Sequence, residues 1–278
     1  MRTAKLLLLS AAIVGLSACS RGLEFEIANT DSAALTEAIR AANAAPGHST
    51  IRLARNGFYI LSREAEAGLL LPAVQGRLTI EGNYAELRGY SPGPAAILEV
   101  QQGGNLRISN LVMAEGTNGT VRNYGQLRLA NVDVVDGSVS TLPAIVLNHG
   151  EFEAVGGEIA YNHLLSNRRD AGTVLNYGEA RFTDTRIHGN RAIGRYPTLA
   201  VSGGVLNFGE IRAQGLSFAD NEIPSEQASA LSFGGILNVG NGRVHGEAPR
   251  EDGAGNAGSD DDNSDFFHGG CCYRSGQG

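Results

Sequence analysis

The sequence predicts an all-β chain wound as a parallel β-helix, a solenoid in which each coil stacks on the one before. Three observations predict it. The first is a recurring Asn-x-Gly frame: Asn123-Tyr124-Gly125, Asn148-His149-Gly150, Asn176-Tyr177-Gly178, Asn207-Phe208-Gly209 and Asn238-Val239-Gly240. The intervals are 25, 28, 31 and 31 residues, and Gln102-Gly103-Gly104 stands as an earlier copy 21 residues upstream. The second is a further Asn fourteen residues into three of the coils, at Asn162, Asn190 and Asn221, with Gly137 in that place after Asn123. A fixed internal offset inside a growing interval assigns the length variation to one loop, after the second Asn. The third is alternation with a period of two, the mark of a half-buried strand.

That alternation sorts side chains into rows. Leu106, Leu127, Phe152, Ala180, Ile211 and Gly242 stand four residues after each frame residue, and Ile108, Leu129, Ala154, Phe182, Ala213 and Val244 stand six after; both rows are expected to point inward. Between them Arg107, Arg128, Glu153, Arg181, Arg212 and Arg243 must point out. A second short strand is read from Met113, Val134, Ile159, Ile187 and Phe218. Stacked coils bring equivalent residues to ~4.8 Å. The frame residues Asn123, Asn148, Asn176, Asn207 and Asn238 are therefore expected to form an amide ladder at a corner, each side chain bonded to the next rung. The frame Gly is expected to supply a positive-φ turn.

A solenoid end exposes unpaired backbone and apolar rungs, so it needs a cap. Residues 31–44 predict a helix: Asp31 or Ser32 can cap it, Leu35, Ile39 and Ala42 share a face, and Pro46-Gly47 ends it. Leu23, Phe25 and Ile27 alternate before it, and Ile51, Leu53, Tyr59 and Leu61 open the first coil. The run Leu35-Thr36-Glu37-Ala38-Ile39-Arg40-Ala41-Ala42-Asn43 followed by Ile51-Arg52-Leu53 resembles the entry segment of secreted bacterial right-handed parallel β-helix proteins, with Thr36 in place of the usual Arg. Gly203-Gly204-Val205-Leu206, Phe218-Ala219-Asp220-Asn221 and Gly234-Gly235-Ile236-Leu237 are similar to repeats of polymorphic outer-membrane proteins. Together these resemblances imply a pectate-lyase-like β-helix over 23–246.

The chain begins with a targeting pattern. Arg2 and Lys5 precede the apolar run Leu6 to Leu16, which is too short to span the ~30 Å core of a bilayer. Leu16-Ser17-Ala18-Cys19 resembles the lipobox of bacterial lipoproteins. The resemblance implies that residues 1–18 are removed, that Cys19 carries acyl chains including palmitate, and that Ser20 favours the outer membrane. Residues 19–22 then form a short lipidated linker. The membrane is the expected first partner, because buried acyl chain contributes ~0.8 kcal/mol per methylene.

Without residues 1–18 the chain carries 20 Arg against 29 Asp and Glu, a net charge of −9. That argues against a nucleic-acid partner. Lys5 is the only lysine, which removes lysine-based catalysis from the mature chain. Residues 247–278 hold seven acids, two arginines and almost no aliphatic residues, and read as a disordered acidic tail. Cys271 and Cys272 lie in that tail, and their pairing stays open.

Relatives of this fold include enzymes acting on acidic polysaccharides, so candidate chemistry has to be weighed. Asn29-Thr30-Asp31 precedes the cap helix, and Arg186-Ile187-His188 lacks the paired carboxylates that glycoside hydrolysis needs, ~6.5–9.5 Å apart in inverting enzymes. Both read as chance matches. Glu151, Glu179 and Glu210 stack beside Arg181 and Arg212, which reads as a solvated charged wall, with a ligand surface and then a metal site as the alternatives. No histidine pair has zinc-ligand spacing, and no cofactor or metal is expected. The loops are the better place for recognition. Arg168, Arg169, Arg191, Arg195 and Tyr196 are the candidate ligand-binding residues, with solvated loop charge as the plain alternative. Forked guanidinium bonds and ring stacking suit an anionic glycan. The sequence thus points to a non-enzymatic, lipid-anchored envelope protein that binds glycan or protein. The alternatives are a polysaccharide lyase or hydrolase and an envelope scaffold.

Overall fold

A computed structural model describes residues 22–166, 170–194, 200–223, 232–239, 242–246 and 250–251. The described chain is a parallel β-solenoid of about seven turns. Each full coil contributes to three walls. The first wall stacks Glu24–Ile27, His48–Leu53, the leading halves of Arg77–Gly89, Asn105–Ala114 and Gln126–Val135, then Glu151–Val155, Glu179–Thr183, Glu210–Gln214 and Arg243–Gly246. The second wall runs from Phe58–Leu61 through the trailing halves of those long strands to Glu158–Ala160, Arg186–His188, Ser217–Ala219 and Arg250–Glu251. The sheet thus reaches two residues of the stretch expected as tail. The third wall stacks Leu98–Val100, Val121–Asn123, Ala144–Asn148, Asp170–Asn176, Ala200–Asn207 and Ile236–Asn238.

The alternation places the expected rows inside. Leu106, Leu127, Phe152, Ala180 and Ile211 are buried in register, as are Met113, Val134, Ile159, Ile187 and Phe218 across the second wall. A column of left-handed residues turns the chain between these walls: Asn83, Asn110, Asn131, Gly156, Asp184 and Gly215 all have positive φ. Asn, Asp and Gly recur there because they tolerate that region best.

The cap forms as the sequence requires. The helix spans Ser32–Ala44, and the carboxylate of Asp31 accepts from Ala34 N at 2.9 Å. Leu35, Ala38, Ile39 and Ala42 are buried against the first coil. Asn29 and Tyr59 fasten it: Asn29 Oδ1 accepts from Phe58 N at 2.7 Å, and Tyr59 Oη donates to Ile27 O at 3.0 Å. The Asn-Thr-Asp tripeptide therefore serves the cap.

Four details differ from expectation. The frame glycines Gly125, Gly150, Gly178 and Gly209 are absent from the positive-φ residues. Their constraint is close approach: a Cβ on Gly150, Gly178 or Gly209 would lie 2.0–2.1 Å from the carbonyl oxygen of the preceding rung's glycine. The first frame is not Gln102-Gly103-Gly104. Val100 pairs with Asn123, and Gly104 O accepts from Gln126 N, so this corner is two residues wider. The last frame widens equally. Arg243 N donates to Gly209 O and Val244 pairs with Ile211, which makes Gly242 the equivalent of Gly209 and moves Gly242 and Val244 out of their expected rows. His245, not Arg243, then faces the Arg212 position. Finally, the length variation is not confined to one loop: the pairing of the third wall shifts by one residue between Gly172 and Val174, where the neighbouring strand holds Gly203 and Gly204.

Candidate functional site: a charged groove on the first wall

The first wall carries two outward rows. Asn105, Gln126, Glu151, Glu179, Glu210 and Arg243 pair in register, and Arg107, Arg128, Glu153, Arg181, Arg212 and His245 form the row two residues on. Alternation puts both on the same face, with rows ~6.6 Å apart and rungs ~4.8 Å apart. From Asn105 and Arg107 to Glu210 and Arg212 these side chains line a shallow open groove of about 230 Å³.

Part of this charge is internally neutralised. Arg212 grips Glu210 through Nε at 3.1 Å and Nη2 at 2.9 Å, and this hydrogen-bonded guanidinium holds the Glu210 carboxyl below the ordinary carboxylate range. Arg128 pairs with Glu153 on the next rung. Asn105 Nδ2 donates to Gln126 Oε1 at 2.5 Å, and Gln126 Nε2 to Glu151 Oε2 at 3.1 Å. Arg107 and Arg181 are exposed and have no ion pair among the described residues. The groove therefore offers two open guanidinium forks three rungs, or ~14 Å, apart.

One rim is an aromatic ladder. Tyr124, His149, Tyr177 and Phe208 follow the frame asparagines, with centroids 5.3, 4.8 and 5.1 Å apart and planes within 14°. Stacking occupies the inner ring faces, and Tyr124 and Tyr177 remain 39 and 41 % exposed. Partial burial lowers the affinity of the His149 imidazole for a proton and raises the pKa of both tyrosines. His149 thus stacks between Tyr124 and Tyr177.

Beneath the rim lies the asparagine ladder. Asn123, Asn148, Asn176 and Asn207 each donate from Nδ2 to Oδ1 of the next, always at 2.7 Å, ending on Asn238. The first four are fully buried. Asn162, Asn190 and Asn221 form a second ladder, with amide links of 2.9 Å. These amides are consumed by the backbone and by one another, so their role is to fix the rungs that carry the groove.

The candidate loop residues fare differently. Arg168, Arg169, Arg195 and Tyr196 lie outside the described residues, as does Cys19. Arg191 is described, and it belongs to a strand rather than a loop: it opens Arg191–Gly194, pairs with His163, and lies 3.6 Å from Glu222. Backbone pairing with Asn162 O explains the difference.

A constellation not singled out from sequence lies on the second wall. His188 Nε2 is 2.9 Å from Glu158 Oε2, the Tyr161 ring meets His188 edge-on at 5.1 Å, and Asp133 Oδ1 accepts from Glu158 N. Burial first, then the Glu158 charge, raises the Asp133 carboxyl above its ordinary value. Asp133 and Glu158 share offset ten in successive coils, a signal available in the repeat. Among the described residues, no group of three or more His, Cys, Asp or Glu is placed to hold a metal ion, and no helix is long and apolar enough to cross a membrane.

Comparison with family models, with curated proteins and with solved structures returns no match to this chain.

Proposed function

We propose that this chain is a lipid-anchored cell-envelope β-helix of pectate-lyase-like type that binds an acidic glycan or a protein along its first wall and does not turn it over. The observation that carries the reading is the pair of open guanidiniums, Arg107 and Arg181, on a groove whose other two arginines, Arg128 and Arg212, are already paired with Glu153 and Glu210. A rigid ladder-built wall favours binding, because the backbone positions from which these side chains reach are fixed before the ligand arrives. The lipobox pattern at Cys19 supports attachment to the outer membrane, and the cap helix and stacked coils support the superfamily assignment.

The test uses the soluble form beginning at Ser20 on immobilised acidic and neutral polysaccharides, with and without calcium. Retention on acidic glycan is expected, together with its loss in Arg107→Ala/Arg181→Ala. Unsaturated-uronide absorbance or new reducing ends would show turnover and overturn the binding-only reading. Absence of both retention and product would shift the partner to an envelope protein.

A further inference from the structure

We infer that the capped end of the solenoid is a membrane-contacting surface, seated on a phospholipid bilayer so that the coils rise away from it. The inference rests on the Cys19 anchor proposed above and adds where the body must sit. The folded chain is pinned almost at once after that cysteine. Leu23 N donates to Ser49 Oγ at 3.1 Å, Leu23 O accepts from Thr50 N at 2.7 Å, and Glu24 opens the first strand. Four residue steps from Cys19 to Leu23 span at most ~14 Å. An anchored chain of that length holds the first rung within reach of the headgroups.

Among the described residues, the exposed large apolar side chains without a ring contact gather at that same end. Leu23, Ile60, Tyr84 and Tyr90 are 39, 48, 68 and 72 % exposed, and all belong to the first coils. None of the four side chains has a ring contact or hydrogen bond among the described residues. The other exposed large residues have internal duties: Tyr124 and Tyr177 belong to the aromatic ladder, and Tyr161 covers His188. Leu23 lies on the first wall, Ile60 on the second, Tyr84 at the corner between them and Tyr90 at the end of the second wall. They lie on the first three rungs, over the first and second walls, within ~10 Å along the axis. Tyrosine and aliphatic side chains within that depth suit a bilayer interface, where an amphipathic ring meets both headgroup and acyl chain. The strand Glu210–Gln214 lies five rungs beyond the one containing Tyr84, ~24 Å further along the axis.

The test reconstitutes the full acylated chain in phosphatidylethanolamine–phosphatidylglycerol vesicles containing a phospholipid with a photoreactive headgroup, and maps cross-links by mass spectrometry. Cross-links are expected in residues 23–90 and none in 210–220. Ile60→Ser/Tyr90→Ser should lose most of the cross-linking while still floating with the vesicles. Cross-links spread evenly along the coils, or concentrated on the first wall, overturn the inference even if Cys19 carries acyl chains. In parallel, a chain starting at residue 20 with Ser20→Cys, Cys271→Ser and Cys272→Ser, so that residue 20 carries its only thiol, is coupled to a maleimide phospholipid. If native Cys19 proves unacylated but this coupled form cross-links within 23–90 and loses most of that cross-linking in Ile60→Ser/Tyr90→Ser, the anchor reading fails and the surface stands; cross-linking unchanged by those substitutions reports the tether alone and overturns the surface.

Discussion

The corner and the wall of one coil are five residues apart and obey different rules. At the corner the same residues return: Asn148, Asn176 and Asn207 are fully buried, bonded in one chain of amides, and each is followed by a glycine whose carbonyl sits where a Cβ would go. On the wall the residue type changes from rung to rung, from Arg128 to Glu153 to Arg181, and the side chains reach solvent. Repetition is enforced where neighbours touch in the interior, and freedom is left where only water is displaced. Recognition can therefore be rewritten on the wall without disturbing the coil.

Each prediction strains that contrast, the severest first. Gly178→Ala places a Cβ 2.1 Å from Gly150 O, in a rung that cannot move without its neighbours. It should destabilise by about 3 kcal/mol or more in urea unfolding; a wild-type midpoint would show that the corner is as tolerant as the wall. Asn176→Ala strips donors from Asn207 Oδ1, Gly178 O and Glu210 O, and about 2–3 kcal/mol is expected. Asn238→Ala, at a half-exposed terminal rung, should cost only about 1 kcal/mol. Equal losses would show that ladder position does not matter.

The aromatic rim lies between the two regimes and adds a pH dependence. Burial depresses the proton affinity of His149 in the folded state, so the unfolded chain binds more protons just below pH 6.5. Stability from this group is present above that pH and falls as the solution is acidified through it. His149→Phe should keep the stack and flatten that part of the stability–pH profile. The smallest effect belongs to the wall. Arg181→Ala should change stability by no more than ~0.5 kcal/mol, while weakening retention on acidic glycan.

Most of the coil was legible because its signals are periodic. Asn recurrence placed the ladder, and alternation placed Leu127, Phe152 and Ile211 inside. The cap helix was legible from Asp31, the Leu35–Ile39–Ala42 face and Pro46. The widened corners were hidden because Gln102-Gly103-Gly104 and Asn238-Val239-Gly240 imitate the frame in letters. Only pairing reveals that Val100 and Gly242 hold the equivalent positions. The glycine requirement was misassigned for a related reason. Sequence marks that Cβ is unwelcome, and only neighbouring rungs show whether φ or a carbonyl excludes it. The open pair Arg107 and Arg181 escaped notice because the repeat presents every arginine of that row alike, and ion pairing to Glu153 or Glu210 depends on side-chain reach.

The two widened corners enclose the asparagine ladder. At one end Val100 offers no amide to extend it, and at the other Asn238 Nδ2 turns back to Gly242 O at 2.6 Å. Between them the rungs are interchangeable units of 25 to 31 residues. Duplication or loss of one unit would leave both terminators intact and change only the length of the rod. This architecture gives evolution a ruler: the length of the wall can be adjusted in steps of ~4.8 Å, while the ends, and whatever they touch, stay the same.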